Sequence, residues 1–173
     1  MNSLLLSYIE KHRLNEHEKY NNEIIINAFQ DIIQMVRAPL LKKSISIKGL
    51  ELFGSQITGL ALNDSDIDFA LLLDENTLDS VPEREVLSRI LYQINDLDEI
   101  HYLRLGLCSK PKIMLRPHSG RSRYILRFED IKTGNDPLNK RSLDLCINNV
   151  SALENSKVIQ SIARENASFR DLS

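Results

Sequence analysis

Apolar residues between positions 44 and 73 form two runs that predict neighbouring β-strands. Ile45 and Ile47 alternate with polar residues and begin a stretch that reaches Phe53, in which Gly49 predicts a bulge or break. The second run, residues 67–73, is almost entirely apolar, as is typical of a strand buried on both faces. Further strands are predicted at residues 100–108, 112–116 and 122–131, followed by a polar loop at 132–140.

Apolar residues spaced three or four apart predict helices at residues 2–13, 16–41, 79–94 and 151–164. Pro39 is expected to end or bend the second helix. Ser80 and Ser151 are the expected N-caps of the last two helices, with Glu83 completing a capping box. The positions predicted to face inward are Leu5 and Ile9 in the first helix, Tyr20, Ile24, Ala28, Ile32, Met35 and Val36 in the second, Val86, Leu87, Ile90, Leu91 and Ile94 in the third, and Leu153, Val158, Ile159 and Ile162 in the fourth.

Two carboxylates lie at the start of the 67–73 strand. Because residues i and i+2 of a strand point to the same face, Asp66 and Asp68 are expected to project side by side. Adjacent carboxylates repel each other, and a divalent cation such as Mg²⁺ relieves that repulsion while leaving room for substrate phosphates. The structural alternative is an Asx-type turn at residues 64–66, with Asp68 at an exposed edge.

The dipeptide Gly54-Ser55 precedes this pair and favours the metal-binding interpretation. A turn of small residues between a strand and a helical turn exposes backbone N–H groups that can hold a phosphate. A phosphate-binding turn followed by a carboxylate pair predicts a site for a nucleoside triphosphate.

These motifs resemble the signature of DNA polymerase β-like nucleotidyltransferases. The similar segments are Gly54-Ser55, residues 59–62 and residues 65–68, and the match is closest to terminal uridylyltransferases and non-canonical poly(A) polymerases. Residues 142–149 resemble the family's segment with a third catalytic aspartate and paired asparagines, which places that aspartate at Asp144. The resemblance extends from about residue 50 to the C-terminus.

The resemblance implies the nucleotidyltransferase fold, an α/β (α+β) domain in which helices flank a mixed, mostly antiparallel sheet. It also implies template-independent addition of nucleotides to an RNA 3′-hydroxyl, with two Mg²⁺ or Mn²⁺ ions held by Asp66, Asp68 and Asp144. Nucleotide contacts are implied at Gly54, Ser55, Asn149 and Ser156. The last two residues could alternatively act as local caps.

The same resemblance implies which nucleoside triphosphate is the nucleotide donor and how the domains are organised. Residues 59–62 are more similar to uridylyltransferases, which favours UTP over ATP. An N-terminal helical segment, residues 1–43, is expected to brace a catalytic domain at residues 44–173. Members of the family carry a further helical domain that contacts the triphosphate and the base, so a helical domain or a protein partner is expected to complete the site.

The charge distribution is uneven although the net charge is only −2. Residues 49–103 contain 12 acidic and 2 basic side chains, whereas residues 104–141 contain 10 basic and 3 acidic ones. An acidic, metal-holding half beside a basic half suits an enzyme that binds phosphates. Arg121, Arg123 and Arg127 alternate along one predicted strand, where they either contact the RNA backbone or the triphosphate, or form a solvated face.

The two cysteines and the hydropathy of the sequence bear on the cellular compartment and on contact with a membrane. Cys108 and Cys146 lack the spacing of a zinc site and indicate buried thiols in a reducing, intracellular compartment. No apolar run approaches the ~18 residues of a membrane span, and the N-terminus lacks a positively charged leader, so neither a membrane contact nor a signal peptide is predicted.

Two other functions compete with an RNA nucleotidyltransferase. One is a catalytically inactive module that binds RNA or a protein, which the three carboxylates disfavour because a binding module has no use for repelling acids. The other is a nucleotidyltransferase that modifies a protein or a small molecule, which the resemblance at residues 144–149 and Ser156 disfavours.

Overall fold

The computed structural model describes residues 4, 7, 11, 14–62, 65–97, 106, 109–118, 121–132 and 140–165, without the side chains of His118, Arg121, Ser122 and Ala163. The helices of this part of the chain are α1 (Glu16–Leu41), α2 (Ser55–Thr58), α3 (Glu75–Ser80), α4 (Glu83–Asn95) and α5 (Val150–Glu165). The strands are β1 (Ile47–Phe53), β2 (Ile67–Leu73), β3 (Lys112–His118), β4 (Arg121–Lys132) and β5 (Lys140–Ile147). The predicted helix at 2–13, strand at 100–108 and loop at 132–140 fall largely outside the described residues.

The five strands form one sheet in the order β1-β2-β5-β4-β3. Strands β2 and β5 are parallel, and the other three neighbouring pairs are antiparallel. The register of β1 shifts between Ile47 and Gly49, which confirms the predicted bulge. The fold is therefore the predicted mixed, mostly antiparallel sheet with flanking helices.

Helix α1 packs its aromatic and aliphatic side chains on one face of the sheet. The ring of Phe29 lies 5.2 Å from that of Phe69 on β2 and 5.2 Å from that of Phe128 on β4, and all three are fully buried. The helix runs through Pro39 and ends two residues later, at Leu41. By length and composition α1 could also cross a membrane, a test that the core helix of a soluble protein passes equally well.

The predicted inner face of α1 was wrong at three positions. Tyr20, Ile24 and Met35 are exposed. The buried apolar residues are Ile25, Phe29, Ile32, Ile33, Val36 and Leu40. Apolar residues occur on more than one side of this helix, and contact of Phe29 with the sheet aromatics determines which side faces inward.

The single helix predicted at residues 79–94 is instead two helices, α3 and α4. Val81 has an extended conformation because the residue before a proline disfavours helical dihedral angles. The Ser80 hydroxyl donates to carbonyls of the preceding turn, so Ser80 ends α3 and does not cap α4. Pro82 is the N-cap residue of α4, and Glu83 forms no capping box. The predicted apolar face of α4 is confirmed, with Val86, Leu87, Ile90 and Ile94 buried.

Helix α5 begins one residue earlier than predicted, so Ser151 lies in its first turn and is not the N-cap. Leu153 is buried as predicted, but Val158, Ile159 and Ile162 are 58%, 37% and 48% exposed. Polar contacts join the helix to α2, where the Ile57 carbonyl accepts from Gln160 Nε2 at 2.8 Å, and to the edge strand β1, where Glu51 lies 3.5 Å from Lys157 Nζ. This arrangement leaves much of its apolar surface open among the described residues.

Candidate active site

Five directly paired residues form a line across one face of the sheet. From β1 to β3 they are Phe53, Asp68, Asp144, Arg127 and Lys112. Directly paired residues on neighbouring strands point to the same side. Two of the three predicted catalytic aspartates, Asp68 and Asp144, therefore lie side by side at the centre of the sheet, with an arginine next to them.

Asp66 joins this group although it precedes β2. Arg127 Nη1 lies 3.2 Å from Asp66 Oδ2, and 3.0 and 2.9 Å from the two carboxylate oxygens of Asp144. The Asp66 side chain is 25% exposed, whereas that of Asp144 is 4% exposed. The structure thus brings Asp66 and Asp144 to one guanidinium, with Asp68 next to Asp144 on the neighbouring strand.

Burial and mutual repulsion raise the pKa values of two of these acids. The pKa of Asp68 rises from 3.8 to about 6, first because of burial and then because of the negative charges of Asp144 and Asp66. Burial also raises the pKa of Asp144, although Arg127 and Arg116 act in the opposite direction. The cluster therefore favours a further positive charge near Asp68.

Gly54 lies against Asp68 at the end of β1. Its φ of +74° is in the region that favours glycine, and a Cβ atom there would lie 2.8 Å from Asp68 Oδ2. The Gly54 N–H donates to Ser156 Oγ of α5 at 2.9 Å. Ser156 is buried and supports the turn itself, while Ser55 begins the short helix α2.

A cavity of about 230 Å³ opens beside the carboxylates. It is lined by Phe53, Asp68, Arg116, Pro117, Arg123, Ile125, Asp144, Cys146 and Asn149. Asn149 is 6% exposed, and its Oδ1 accepts no hydrogen bond among the described residues. Burial raises the pKa of the Cys146 thiol to about 11, so this buried side chain is a poor nucleophile.

The two consecutive asparagines, Asn148 and Asn149, differ in their hydrogen bonding. Asn148 adopts a positive φ of 45° and accepts a hydrogen bond from the Leu73 N–H through Oδ1 at 2.8 Å. This contact holds the end of β5 to the end of β2. Asn149, in contrast, lines the cavity and has a buried Oδ1 that accepts no hydrogen bond among the described residues.

The predicted row of arginines is divided by the structure. Arg127 pairs with carboxylates, and the Arg123 Nη1 donates to the Ile147 carbonyl at 3.2 Å. The side chain of Arg121 lies outside the described residues. Arg127 therefore does not belong to a solvated face, since only 20% of its side chain is exposed.

Arg116 was not among the predicted site residues. It extends from β3 to Asp144, with which its Nη1 forms a short ion pair, and its Nη2 lies 3.7 Å from Asp66 Oδ2. The strands predicted at residues 112–116 and 122–131 could have indicated its position. Pairing of His118 with Arg121 places Arg116 opposite Arg123, so these two arginines lie on the same face of the sheet.

The carboxylates supply the oxygen donors that Mg²⁺ and Mn²⁺ prefer. Within the part of the chain that the structure describes, no three acidic, histidine or cysteine side chains are arranged as a formed metal site. Arginine nitrogens contact Asp66 and Asp144 directly. The donor chemistry fits a divalent cation, which would compete with Arg116 and Arg127 for the oxygens of Asp66 and Asp144.

Solved structures of Cid1 share this fold. One, which concerns the RNA terminal uridylyl transferase activity of Cid1, is 16% identical with a TM-score of 0.58, over 95% of this chain and 41% of that chain. Cid1 with the UTP analogue UMPNPP is 14% identical with a TM-score of 0.57, and Cid1 with its short product ApU is 15% identical with a TM-score of 0.57, each with the same two coverages. The chain thus spans about two fifths of the length of these structures.

No curated protein sequence matches this chain significantly. The family described as "Nucleotidyltransferase domain" matches residues 33–126, a segment that contains Gly54, Asp66 and Asp68. Since this segment is more than half of the chain, and since the sheet, the glycine turn and the paired aspartates agree with the predicted fold, the protein belongs to the nucleotidyltransferase domain family.

Proposed function

We propose that this chain is the catalytic part of a template-independent RNA 3′-terminal nucleotidyltransferase that favours UTP over ATP. The proposal is carried by the pairing of Asp68 with Asp144 on adjacent parallel strands, with Asp66 linked to Asp144 through Arg127. Phosphoryl transfer depends mainly on positioning and charge neutralisation, and this arrangement suits both. The Cid1 structures with a UTP analogue and with ApU support a nucleotide and an RNA as partners.

Asp66, Asp68 and Asp144 are the residues that would hold two Mg²⁺ or Mn²⁺ ions. When bound, such ions neutralise the triphosphate and lower the pKa of the attacking RNA 3′-hydroxyl. Arg127 keeps Asp66 and Asp144 close to each other before any cation arrives. Arg116 is 51% exposed at its side chain, so it can leave Asp144 without disturbing the core.

The nucleotide would lie in the cavity beside these acids. Gly54 lets the backbone approach Asp68, and the Ser156 hydroxyl fixes the Gly54 N–H in place. The free Asn149 Oδ1 would accept a hydrogen bond from a ribose hydroxyl. Arg116 and Arg123 line the same cavity and would face the phosphates.

A second candidate function is a catalytically inactive module that binds RNA or a protein. The observation that favours it is the contact of two arginines with Asp66 and Asp144, which neutralises these acids without a metal ion. Transfer of adenylate from ATP, in place of uridylate from UTP, is an alternative within the first function.

A primer-extension assay on a short single-stranded RNA distinguishes these functions. Each of the four nucleoside triphosphates is tested with Mg²⁺ or Mn²⁺ and again after addition of EDTA. Metal-dependent extension that is lost in Asp144→Asn and retained in Asp79→Asn, an exposed aspartate on α3, supports the transferase and identifies its base. Absence of extension together with RNA binding that Asp144→Asn leaves unchanged supports the inactive module.

A further inference from the structure

A series of buried polar side chains links helix α1 to the turn formed by Gly54 and Ser55. The Nε of Arg141, on β5, donates to Asn22 Oδ1 at 3.3 Å. The Nδ2 of Asn22 donates in turn to Gln56 Oε1 at 3.3 Å. Arg141 and Asn22 are each 3% exposed, and Gln56 directly follows Ser55 on α2.

The far end of this network is anchored at the start of α1. Glu18 Oε1 lies 3.8 Å from Arg141 Nη2. Glu18 also accepts a hydrogen bond from the Asn15 N–H at 3.0 Å and donates its own N–H to Asn15 Oδ1 at 2.9 Å, which completes a capping box. The beginning of α1, strand β5 and the glycine turn are therefore joined by polar contacts.

The position of this network relative to the acids gives it a role beyond stability. Arg141 precedes Asp144 by three residues on the same strand. A cavity of about 390 Å³ borders Asn22 and Gln56, and its lining mixes apolar residues such as Leu14 and Leu52 with the charged residues Lys19 and Glu23. The Asn22–Gln56 hydrogen bond therefore connects α1 and α2 beside open space, where close packing does not fix their separation.

Helix α5 holds the same turn from another direction. Ser156 accepts from the Gly54 N–H, and Gln160 donates to the Ile57 carbonyl. The turn and α2 are thus connected to α5 by two hydrogen bonds and to α1 by the amide of Gln56. Loss of the α1 contact would leave α2 held from one side.

We propose that Asn22 and Gln56 are positioning residues that hold the Gly54-Ser55 turn in place relative to Asp144 and thereby set the affinity for the nucleoside triphosphate. This inference rests on the proposed transferase function. Neither residue lines the cavity beside the carboxylates, so both act through the turn. The Asn22–Gln56 hydrogen bond is directional and links α1 to α2, although Gln56 Nε2 donates no hydrogen bond among the described residues.

The test replaces Gln56, because Asn22 also bonds the buried Arg141 and its removal would disturb folding. Gln56→Met removes the acceptor of the Asn22 hydrogen bond, whereas Gln56→Glu keeps an acceptor. Gln93→Met, on α4, is the matched control, since Gln93 is also a partly buried helical glutamine. Amide hydrogen exchange at Thr58, whose N–H donates to the Gly54 carbonyl at 3.3 Å, reports on the turn in the free protein.

We expect Gln56→Met to accelerate exchange at Thr58 and to raise the KM for the nucleotide about tenfold, with a smaller change in kcat; tenfold corresponds to about 1.4 kcal/mol. Gln56→Glu should restore slow exchange, and Gln93→Met should change neither quantity. Unchanged exchange and KM in Gln56→Met, or equal changes in Gln93→Met, would overturn the inference. If the wild-type chain transfers no nucleotide, the proposed function fails, and the exchange comparison still decides whether Gln56 holds the turn.

Discussion

Arg127 lies directly opposite Asp144 across the antiparallel pair of β4 and β5, and one of its nitrogens contacts both carboxylate oxygens, at 3.0 and 2.9 Å. Asp68 adjoins Asp144 on the other side, and no arginine contacts Asp68 among the residues that the structure describes. The negative charge of Asp144 is therefore stabilised by an ion pair with Arg127, whereas that of Asp68 has no ion pair among the described residues. Their removal should have opposite effects on stability.

In the metal-free protein at neutral pH, we expect Asp68→Asn to stabilise the fold by about 1–2 kcal/mol, because it removes a buried charge that two other carboxylates repel. Asp144→Asn should instead destabilise the fold by about 1–3 kcal/mol. Burial raises the Asp144 pKa, so the substitution relieves some desolvation, but the loss of the ion pairs with Arg127 and Arg116 leaves the largely buried Arg127 without its closest partner and outweighs that relief. Thermal unfolding in EDTA measures both changes. Equal shifts in the unfolding temperature of the two variants would contradict this difference between Asp68 and Asp144.

The raised pKa of Asp68 predicts a pH dependence of stability. Between about pH 4 and pH 6 the folded state binds a proton at Asp68 that the unfolded state has released, so stability falls as the pH rises through this window. Above the folded pKa of about 6 the loss is complete. Denaturant unfolding of the wild type and Asp68→Asn over pH 4–8 should show the stability difference growing to a plateau. A difference that does not vary with pH would rule out this assignment.

Arg116 competes with a divalent cation at Asp144 Oδ2, because two positive charges at one oxygen repel each other. Because Arg116→Gln removes a positive charge next to the carboxylates, it should increase the affinity for Mn²⁺ about three- to tenfold. Titration calorimetry without nucleotide measures this change. Lys48→Gln serves as the control, because Lys48 pairs with Asp74, outside the line of residues that crosses the sheet. Weaker Mn²⁺ binding in Arg116→Gln would show that Arg116 assists the cation.

Gly49, within β1, and Gly54, just after its end, allow a matched comparison of two Gly→Ala variants. Gly54→Ala should destabilise the protein by about 2 kcal/mol and lower nucleotide transfer at least tenfold, because the new Cβ would meet Asp68 Oδ2 at a residue with positive φ. Gly49→Ala, whose Cβ would have no atom within 4 Å, should change stability by less than about 0.5 kcal/mol. Chemical denaturation and primer extension provide the two measurements. Similar losses in both variants would exclude a specific contact with Asp68.

The sequence predicted the acidic half of the site better than the basic half. The alternation of a strand is sufficient to place Asp66 and Asp68 together, and the resemblance added Asp144. The contact of Arg116 with Asp144 depends on the order of three strands in the sheet, which local periodicity does not contain. The Asn22–Gln56 hydrogen bond likewise joins residues distant in sequence and has no local pattern.

Errors in the predicted helices arose where several patterns were compatible with the same residues. Consecutive isoleucines at residues 24–26 allow more than one inward face for α1, and the sheet determines which one is buried. The serine and glutamate at residues 80 and 83 match a capping box, but the conformation that Pro82 imposes on Val81 separates the two helices. Tertiary packing and backbone sterics overrode the local signal in these cases.

The parallel pairing of β2 with β5 has a consequence for folding. Asp68 and Asp144 become neighbours only when β5 pairs with β2, from which it is separated in sequence by the β3–β4 hairpin. Such long-range pairing is slow to form and belongs to the whole domain, because no local segment contains both acids. Binding of Mn²⁺ at the proposed site would therefore report complete folding, since a partly folded chain would lack the composite site.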